Sequence, residues 1–230
     1  MQLINELKKI ANPTLAQSNL RFFKQSPDSY CKDDIFLGIT MPNLRKFLKQ
    51  CPPIELEEIK DLMKCEYNEA RILAWWLLER DFKEVRTYYD CALEFAKYCG
   101  NWNVVDNAAP ICTKIFIKNK QTELVEQLGY DLFKKDDLWS VRFSIVLSLY
   151  LIKNNELNYG LDICEKNLQR REDMIRKPIG WMLREIGKKD KQKLVEFIQK
   201  NINEISSISL SYALEHFSKE EKTKLKMRRT

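Results

Sequence analysis

The two residues whose types and spacing most suggest chemistry are Trp102 and Asp106, near the middle of the chain. Four positions separate them, so on a helix their side chains lie on the same face, one turn apart. An ionised carboxylate beside an indole ring can stabilise a positive charge that develops during a reaction, because both groups attract cations. A structural interpretation also fits: a core tryptophan next to an aspartate that caps a helix or forms an ion pair.

Asp106 stands out because it interrupts a repeated pattern. Four segments contain an apolar residue, then a charged residue, then small or apolar residues that continue into a helix. The charged residues occur at spacings of 35, 36 and 34, and they are Arg71, Asp106, Arg142 and Arg176. The replacement of a base by an acid in one repeat favours a functional role for Asp106 over the structural interpretation.

The secondary structure that positions these residues is predicted to be helical from the composition of the chain. The chain has only six Gly and seven Pro in 230 residues, which favours long helices joined by short loops. Apolar residues at helical spacing predict 12 or 13 helices and no strand. Helix pairs that recur every 34 to 36 residues are typical of an α-solenoid. We therefore predict an all-α fold of HEAT-like antiparallel helix pairs, forming one domain over residues 1–230. It ends in a basic tail from about residue 218, in which we expect Lys222 to Arg229 to be frayed.

Such an array curves, and its inner helices line a concave surface. Residues at equivalent positions of successive repeats then point into one shared groove. Asp106, Arg142 and Arg176 would lie in register along this groove, with Arg71 on the preceding helix pair. For Arg71, Arg142 and Arg176 a second interpretation remains, because such arginines also tie adjacent repeats together by hydrogen bonds. For Arg142, which follows Trp139, contact with phosphate is more plausible.

Trp181 is a further candidate, on a predicted helix two repeats after Asp106. It follows Gly180, and a glycine within a helix costs roughly 1 kcal/mol relative to alanine. The glycine therefore predicts that another group approaches the helix closely at this point. Packing between helices is the alternative role for the Trp181 ring.

Several classes of chemistry are excluded by composition. His216 is the only histidine, which excludes a histidine-paired nucleophile at the centre of the chain and a multi-histidine metal site. The seven cysteines form no Cys-x-x-Cys pair, so we expect free thiols in a reducing cytosol and no structural zinc. No glycine-rich phosphate loop, signal peptide or run of 18 apolar residues occurs, so we expect no nucleotide cofactor and no membrane contact. The net charge of +6 permits a nucleic-acid partner.

Four motifs, in order and at the right spacing, resemble the AlkD-like DNA alkylation-repair glycosylases across about residues 3–217. They are residues 36–42 with Arg45, 101–106, 139–142 and 177–185. The resemblance implies a helical HEAT-like superhelix whose basic concave face holds duplex DNA. It also implies a monofunctional DNA glycosylase, without cofactor or metal, that removes cationic alkylated purines such as 3-methyladenine and 7-methylguanine in base excision repair.

The resemblance also assigns roles to individual residues. By matching motifs, the catalytic residues are Trp102, Asp106 and Trp181, and Arg142 contacts the DNA backbone. In addition, we expect DNA binding by Arg45, Arg176 and Lys177.

The chain departs from the family pattern at three positions. Asn103 stands where an acid is common, Asn107 where a small hydroxyl residue is common, and Ser211 where a basic residue is frequent. These departures concern substrate range and affinity more than the catalytic residues. The alternative function is a non-catalytic HEAT-repeat module that binds distorted or branched DNA, and a protein scaffold is a third class. We expect a monomer in the cytoplasm, associated with the nucleoid when it is bound to DNA.

Overall fold

The computed structural model describes residues 2–23 and 25–226, and every regular element in this part of the chain is a helix. A short 3-10 helix follows α6 at Ala96–Tyr98, and the α-helices are α1 (Gln2–Lys9), α2 (Pro13–Phe22), α3 (Met41–Gln50), α4 (Leu56–Lys64), α5 (Asn68–Asp81), α6 (Val85–Phe95), α7 (Trp102–Lys118), α8 (Glu123–Phe133), α9 (Leu138–Lys153), α10 (Asn158–Lys166), α11 (Asp173–Lys189), α12 (Lys191–Lys200), α13 (Ser207–Ala213) and α14 (Lys219–Lys226). The predicted all-α fold class is confirmed. None of the helices in the described ranges combines the length and the apolar character needed to cross a membrane.

The chain divides into two compact units, one up to Ile111 and the other from Cys112. In the first unit α5 packs against α3 and α4, and its residues 68–78 are all buried. In the second unit α9 packs against α8, α10 and α11, and α13 covers α11. Helices α5 and α9 are buried nearly all round, which places them at the centre of their units. A single domain over residues 1–230 stays a prediction.

Gly180 explains how α13 reaches α11. A Cβ atom at Gly180 would lie 2.5 Å from the Ser209 carbonyl oxygen and 2.5 Å from Tyr212 Cβ. Two helices approach this closely only where one has no side chain. The close approach that the sequence predicts at Gly180 is therefore confirmed, and the approaching group is the backbone of α13.

A buried carboxylate holds the segment that precedes α3. Glu69, on α5, is 2% exposed and accepts hydrogen bonds from the backbone N–H groups of Leu37 (3.0 Å), Gly38 (2.8 Å) and Ile39 (3.2 Å). Gly38 has a φ of +74°, and a Cβ there would lie 2.1 Å from the Asn12 carbonyl oxygen. The motif at residues 36–42 thus has a structural function, since it fixes α3 to the buried helix α5.

The expected fraying of the basic tail from Lys222 to Arg229 is wrong for residues 222–226, which lie in helix α14 (Lys219–Lys226). Ser218 and Glu221 form a capping box at its start: the Ser218 N–H donates to the Glu221 carboxylate at 2.9 Å, and the Glu221 N–H donates to Ser218 Oγ at 3.2 Å. Leu225 is buried, which holds the helix against the protein. The remainder of the predicted tail, residues 227–230, lies outside the described residues.

All seven cysteines are free, in agreement with the expectation from their spacing. Five of them are buried, and burial raises the pKa of the Cys91 thiol to about 12. A thiol with such a pKa stays protonated at neutral pH and is a poor nucleophile.

Replacement of the buried acid by Glu69→Gln should destabilise the fold. The glutamine loses the charge and turns an N–H donor towards backbone N–H groups, and hydrogen bonds to charged groups contribute about 1.5–3 kcal/mol each. We expect the free energy of unfolding, measured by urea denaturation, to fall by at least about 2 kcal/mol. Glu84→Gln, at an exposed position of the same unit, should change it by less than about 0.5 kcal/mol. Equal stability of the two variants would contradict the role of Glu69.

Candidate functional site

Trp102 and Asp106 lie on the first two turns of α7, as the sequence predicts. Both side chains are half-buried, and so are Asn103 and Asn107 beside them, whereas Val104, Val105, Ala108 and Ala109 are buried. These four half-buried positions form one partly exposed edge of α7, which we call the α7 edge. The Asp106 carboxylate is therefore neither sealed in the core nor on a face away from Trp102.

Aromatic rings fix the Trp102 indole. The ring centroid of Phe23 lies 5.4 Å from that of Trp102, and Phe23 is stacked on Phe36 at 4.8 Å. The indole N–H donates a hydrogen bond to the Tyr30 hydroxyl at 3.2 Å. Packing and this hydrogen bond together hold the indole plane in one orientation at the α7 edge.

Phe22 is a candidate that the sequence interpretation missed. It ends α2, its side chain is 67% exposed, and its ring centroid lies 6.2 Å from that of Trp102. A large exposed aromatic ring next to the α7 edge offers a further apolar surface to a ligand. The only signal in the sequence is the pair Phe22–Phe23. Adjacent residues at the end of a helix point in different directions, so when the Phe23 ring is buried the Phe22 ring is exposed.

A buried carboxylate at Asp34 sets where α7 begins. The Asn101 amide donates to Asp34 Oδ2 at 2.8 Å, the Asn68 amide donates to the same oxygen at 3.1 Å, and Arg71 forms an ion pair with Oδ1. Gly100 has a φ of +66°, and a Cβ there would lie 3.0 Å from Asp34 Oδ1. Asn101 directly precedes Trp102, so the fixed position of its side chain places the first turn of α7.

The placement of Arg71 in a groove is wrong. Its side chain is 5% exposed, and besides the ion pair with Asp34 it donates to the Cys65 carbonyl at 2.9 Å. The alternative for this arginine, a tie between structural elements, is the one observed. The predicted groove position is wrong because Arg71 pairs with Asp34 in the interior. Asp34 lies in an irregular segment outside the repeat pattern, so the repeat pattern does not predict this pair.

Asn103 and Asn107, the two positions of α7 at which the chain departs from the family pattern, both form hydrogen bonds within the protein. Asn103 and Asn68 exchange amide hydrogen bonds, at 2.8 Å and 3.1 Å, and the Asn107 amide donates to the Asn103 carbonyl at 2.8 Å. The two side chains therefore continue the polar network that starts at Asp34. Neither asparagine changes the helical geometry of the α7 edge.

In the second unit Arg142 is 5% exposed and donates to the Met174 carbonyl at 2.8 Å. Pro178 has no N–H with which to bond the carbonyl four residues before it, and that carbonyl belongs to Met174. The Arg142 guanidinium thus supplies the donor that the proline removes. A contact between Arg142 and a DNA phosphate stays a prediction, and only the small exposed part of its side chain is available for it.

The remaining predicted residues lie on partly exposed surfaces. Arg176, Lys177 and Trp181 are half-buried on α11, and Arg176 Nε donates to the Arg170 carbonyl at 3.1 Å. Arg45 is exposed on α3, with its guanidinium carbon 4.5 Å above the centre of the Trp76 ring. Their roles in catalysis or DNA binding stay predictions. Within the described ranges, no three or more His, Cys, Asp or Glu side chains are grouped so that they could hold a metal ion.

Comparisons with known proteins agree with the motifs. A family model described as DNA alkylation repair enzyme matches residues 3–217 of the chain. Among solved structures, a predicted DNA alkylation repair enzyme from Enterococcus faecalis matches with a TM-score of 0.76 and 18% sequence identity, covering 91% of this chain and 97% of that chain. At this identity the match shows the shared fold, which confirms the predicted HEAT-like helical fold. No curated protein sequence compared with the chain matches it.

The buried ion pair gives a stability prediction. Asp34→Ala leaves the Arg71 guanidinium without its counterion, and such a loss costs about 3–5 kcal/mol. We expect the free energy of unfolding in urea to fall by about that amount. Asp33→Ala is the matched control, because Asp33 is exposed and adjacent in sequence, and it should be neutral within about 0.5 kcal/mol. A similar small effect of both substitutions would show that Asp34 does not hold this part of the fold.

Proposed function

The chain belongs to the family of DNA alkylation repair enzymes, and we propose that it is a DNA glycosylase acting on cationic alkylated purines in duplex DNA. The substrates would be 3-methyladenine and 7-methylguanine, and the reaction the hydrolysis of their N-glycosidic bond. No metal or cofactor takes part in this proposal.

The single observation that carries the proposal is the half-buried Asp106 carboxylate, one helical turn from a fixed Trp102 indole. A carboxylate at a partly exposed edge can meet a substrate, whereas a sealed one cannot. Trp102, Asn103 and Asn107 lie on the same edge of α7, and the two asparagine amides are hydrogen-bonded within the protein. This edge thus combines a partly exposed carboxylate with an aromatic face, and both suit a cation.

A cationic purine needs no proton to leave. When its bond to C1′ of the deoxyribose breaks, the bonding electron pair neutralises the base, and positive charge develops on the sugar. Most glycoside hydrolases use two carboxyl groups, of which one protonates the leaving group. Here the leaving group is already activated, so one carboxylate suffices.

We assign two tasks to Asp106 in this reaction. Its negative charge stabilises the oxocarbenium character of the sugar, and an interaction of this kind contributes a few kcal/mol to a barrier. Its oxygen atoms also accept a hydrogen bond from the water that attacks C1′. The proton of that water leaves through the carboxylate to solvent, so that the products are the free base and an abasic sugar.

The Trp102 ring supports the same charge. The face of an indole attracts cations within about 6 Å of its centre, by about 0.5–2 kcal/mol. Because Tyr30 and Phe23 hold the indole in place, less free energy is lost in ordering it when DNA binds than for a freely rotating side chain. The exposed ring of Phe22 extends this aromatic surface.

The other assignments come from the family resemblance and remain part of the proposal. Trp181 would be the second catalytic aromatic residue, and Arg142 would contact the DNA backbone. Arg45, Arg176 and Lys177 would bind phosphate groups, which is supported by the exposed position of Arg45 and the partly exposed positions of the other two.

Base release tests the proposal directly. The protein is incubated with duplex DNA that contains 7-methylguanine, and free base is measured by chromatography. We expect release faster than the spontaneous rate, in a single-turnover reaction with excess protein. Duplex binding together with release at the spontaneous rate would overturn the glycosylase and favour the alternative, a non-catalytic module that binds distorted or branched DNA. A protein scaffold would instead bind a protein partner with an affinity that is insensitive to salt, whereas binding to DNA should weaken steeply as the salt concentration rises.

A further inference from the structure

Most of the net positive charge of this protein lies in one short segment. Residues 219–230 contain six Lys or Arg and two Glu, so they hold four of the six net positive charges of the chain. The other 218 residues have a net charge of only +2. Proteins that bind DNA through its phosphates need a cluster of basic residues, and most of this chain does not provide an excess of charge.

The first part of this basic segment is a helix held on the protein. Helix α14 packs on α12 and buries Leu225, and the Glu221 carboxylate lies 2.5 Å from Lys191 Nζ. The Lys191 ammonium lowers the pKa of the Glu221 carboxyl, so this glutamate stays ionised and neutralised by its partner. One of the two acids of the segment is therefore used for attachment.

Three lysines of α14 have side chains that are at least partly exposed. Lys219 and Lys224 are exposed, and Lys222 is half-buried with its ammonium 3.3 Å from the Glu215 carbonyl. Lys188 and Lys189 are exposed at the end of α11, close in sequence to Lys191, which pairs with Glu221 of α14, and the Lys188 ammonium lies 2.9 Å from the Glu185 carboxylate. We call Lys219, Lys222 and Lys224, with Lys188 and Lys189, the α14 basic surface.

The helix lies outside the part of the chain that matches the family. The family model ends at residue 217, one residue before the Ser218 cap of α14. The residues assigned to the α7 edge lie well inside the match. The charge of α14 is therefore a property of this chain that the family assignment does not explain.

We propose that the α14 basic surface binds the phosphate backbone of duplex DNA, away from the damaged base and independently of it. The inference rests on the proposed function in that DNA is the substrate. Lysine ammonium groups contact phosphates without reading base sequence, so this surface contributes affinity and fast association but no lesion specificity. The partly exposed residues of the α7 edge remain responsible for chemistry.

The test compares two triple variants by the salt dependence of binding to an undamaged duplex. The first neutralises α14 by Lys219→Gln, Lys222→Gln and Lys224→Gln. The second neutralises three exposed lysines elsewhere in the same unit, by Lys134→Gln, Lys135→Gln and Lys166→Gln. Both change the net charge equally, so a difference between them reports position and not total charge.

For the α14 variant we expect the slope of log Kd against log salt concentration to fall by about 2–3, since each lost phosphate contact lowers it by about 0.9. Its Kd at about 0.1 M salt should rise at least about tenfold. The control should change the slope by less than about 1. An unchanged slope in the α14 variant, or an equal change in both variants, would overturn the inference.

Base release at saturating DNA separates this inference from the proposed function. The α14 variant should release 7-methylguanine at the wild-type single-turnover rate, and a loss of that rate would show that these lysines are not a lesion-independent contact. If wild-type protein releases no base, the glycosylase proposal fails, while the salt slopes still decide the role of α14. If the α14 variant loses binding to anionic phosphatidylglycerol vesicles while its salt dependence of DNA binding is unchanged, the surface binds membranes and the inference is overturned.

Discussion

The Asp34 carboxylate is the interaction on which the candidate site depends. It is 6% exposed, it forms an ion pair with Arg71, and it accepts hydrogen bonds from Asn68 and Asn101. An unpaired charge in this position would be strongly destabilising, so the partners must close around it for the first unit to fold. Asn101 directly precedes α7, so the hydrogen bond by which it stabilises the buried Asp34 charge also fixes the position of the first turn of α7.

This coupling relates the fold to the chemistry. A reactive carboxylate must be held firmly and still be partly open to solvent, and these demands conflict for a single side chain. Here the demands are divided: Asp34 is buried and provides the rigidity, whereas Asp106 lies six residues into the segment that Asn101 begins and stays partly exposed. The asparagines of the α7 edge and Tyr30 complete the arrangement by satisfying their own polar groups and that of Trp102.

Periodic features were predictable from the sequence, and long-range polar contacts were not. The start of α7, the shared face of Trp102 and Asp106, and the close approach at Gly180 all follow from local spacing and glycine conformation. The pairing of Asp34 with Arg71 does not, because Asp34 lies in an irregular segment and is 37 positions away. The repeat pattern alone consequently predicts a groove position for Arg71. The charge of α14 resembles that of an unfolded tail, and the helix is recognisable only from its capping box and from Leu225.

The most direct test of the central claim is the single-turnover rate of 7-methylguanine release by the Asp106→Asn variant, measured with saturating protein beside the Kd for the same duplex. The substitution keeps the size and helical position of the side chain, removes its charge, and replaces one acceptor oxygen by an NH2 group. The account predicts a rate at least about a hundredfold lower, as for other groups that stabilise a developing charge, with a Kd within about threefold of wild type. Excision at the wild-type rate would contradict it.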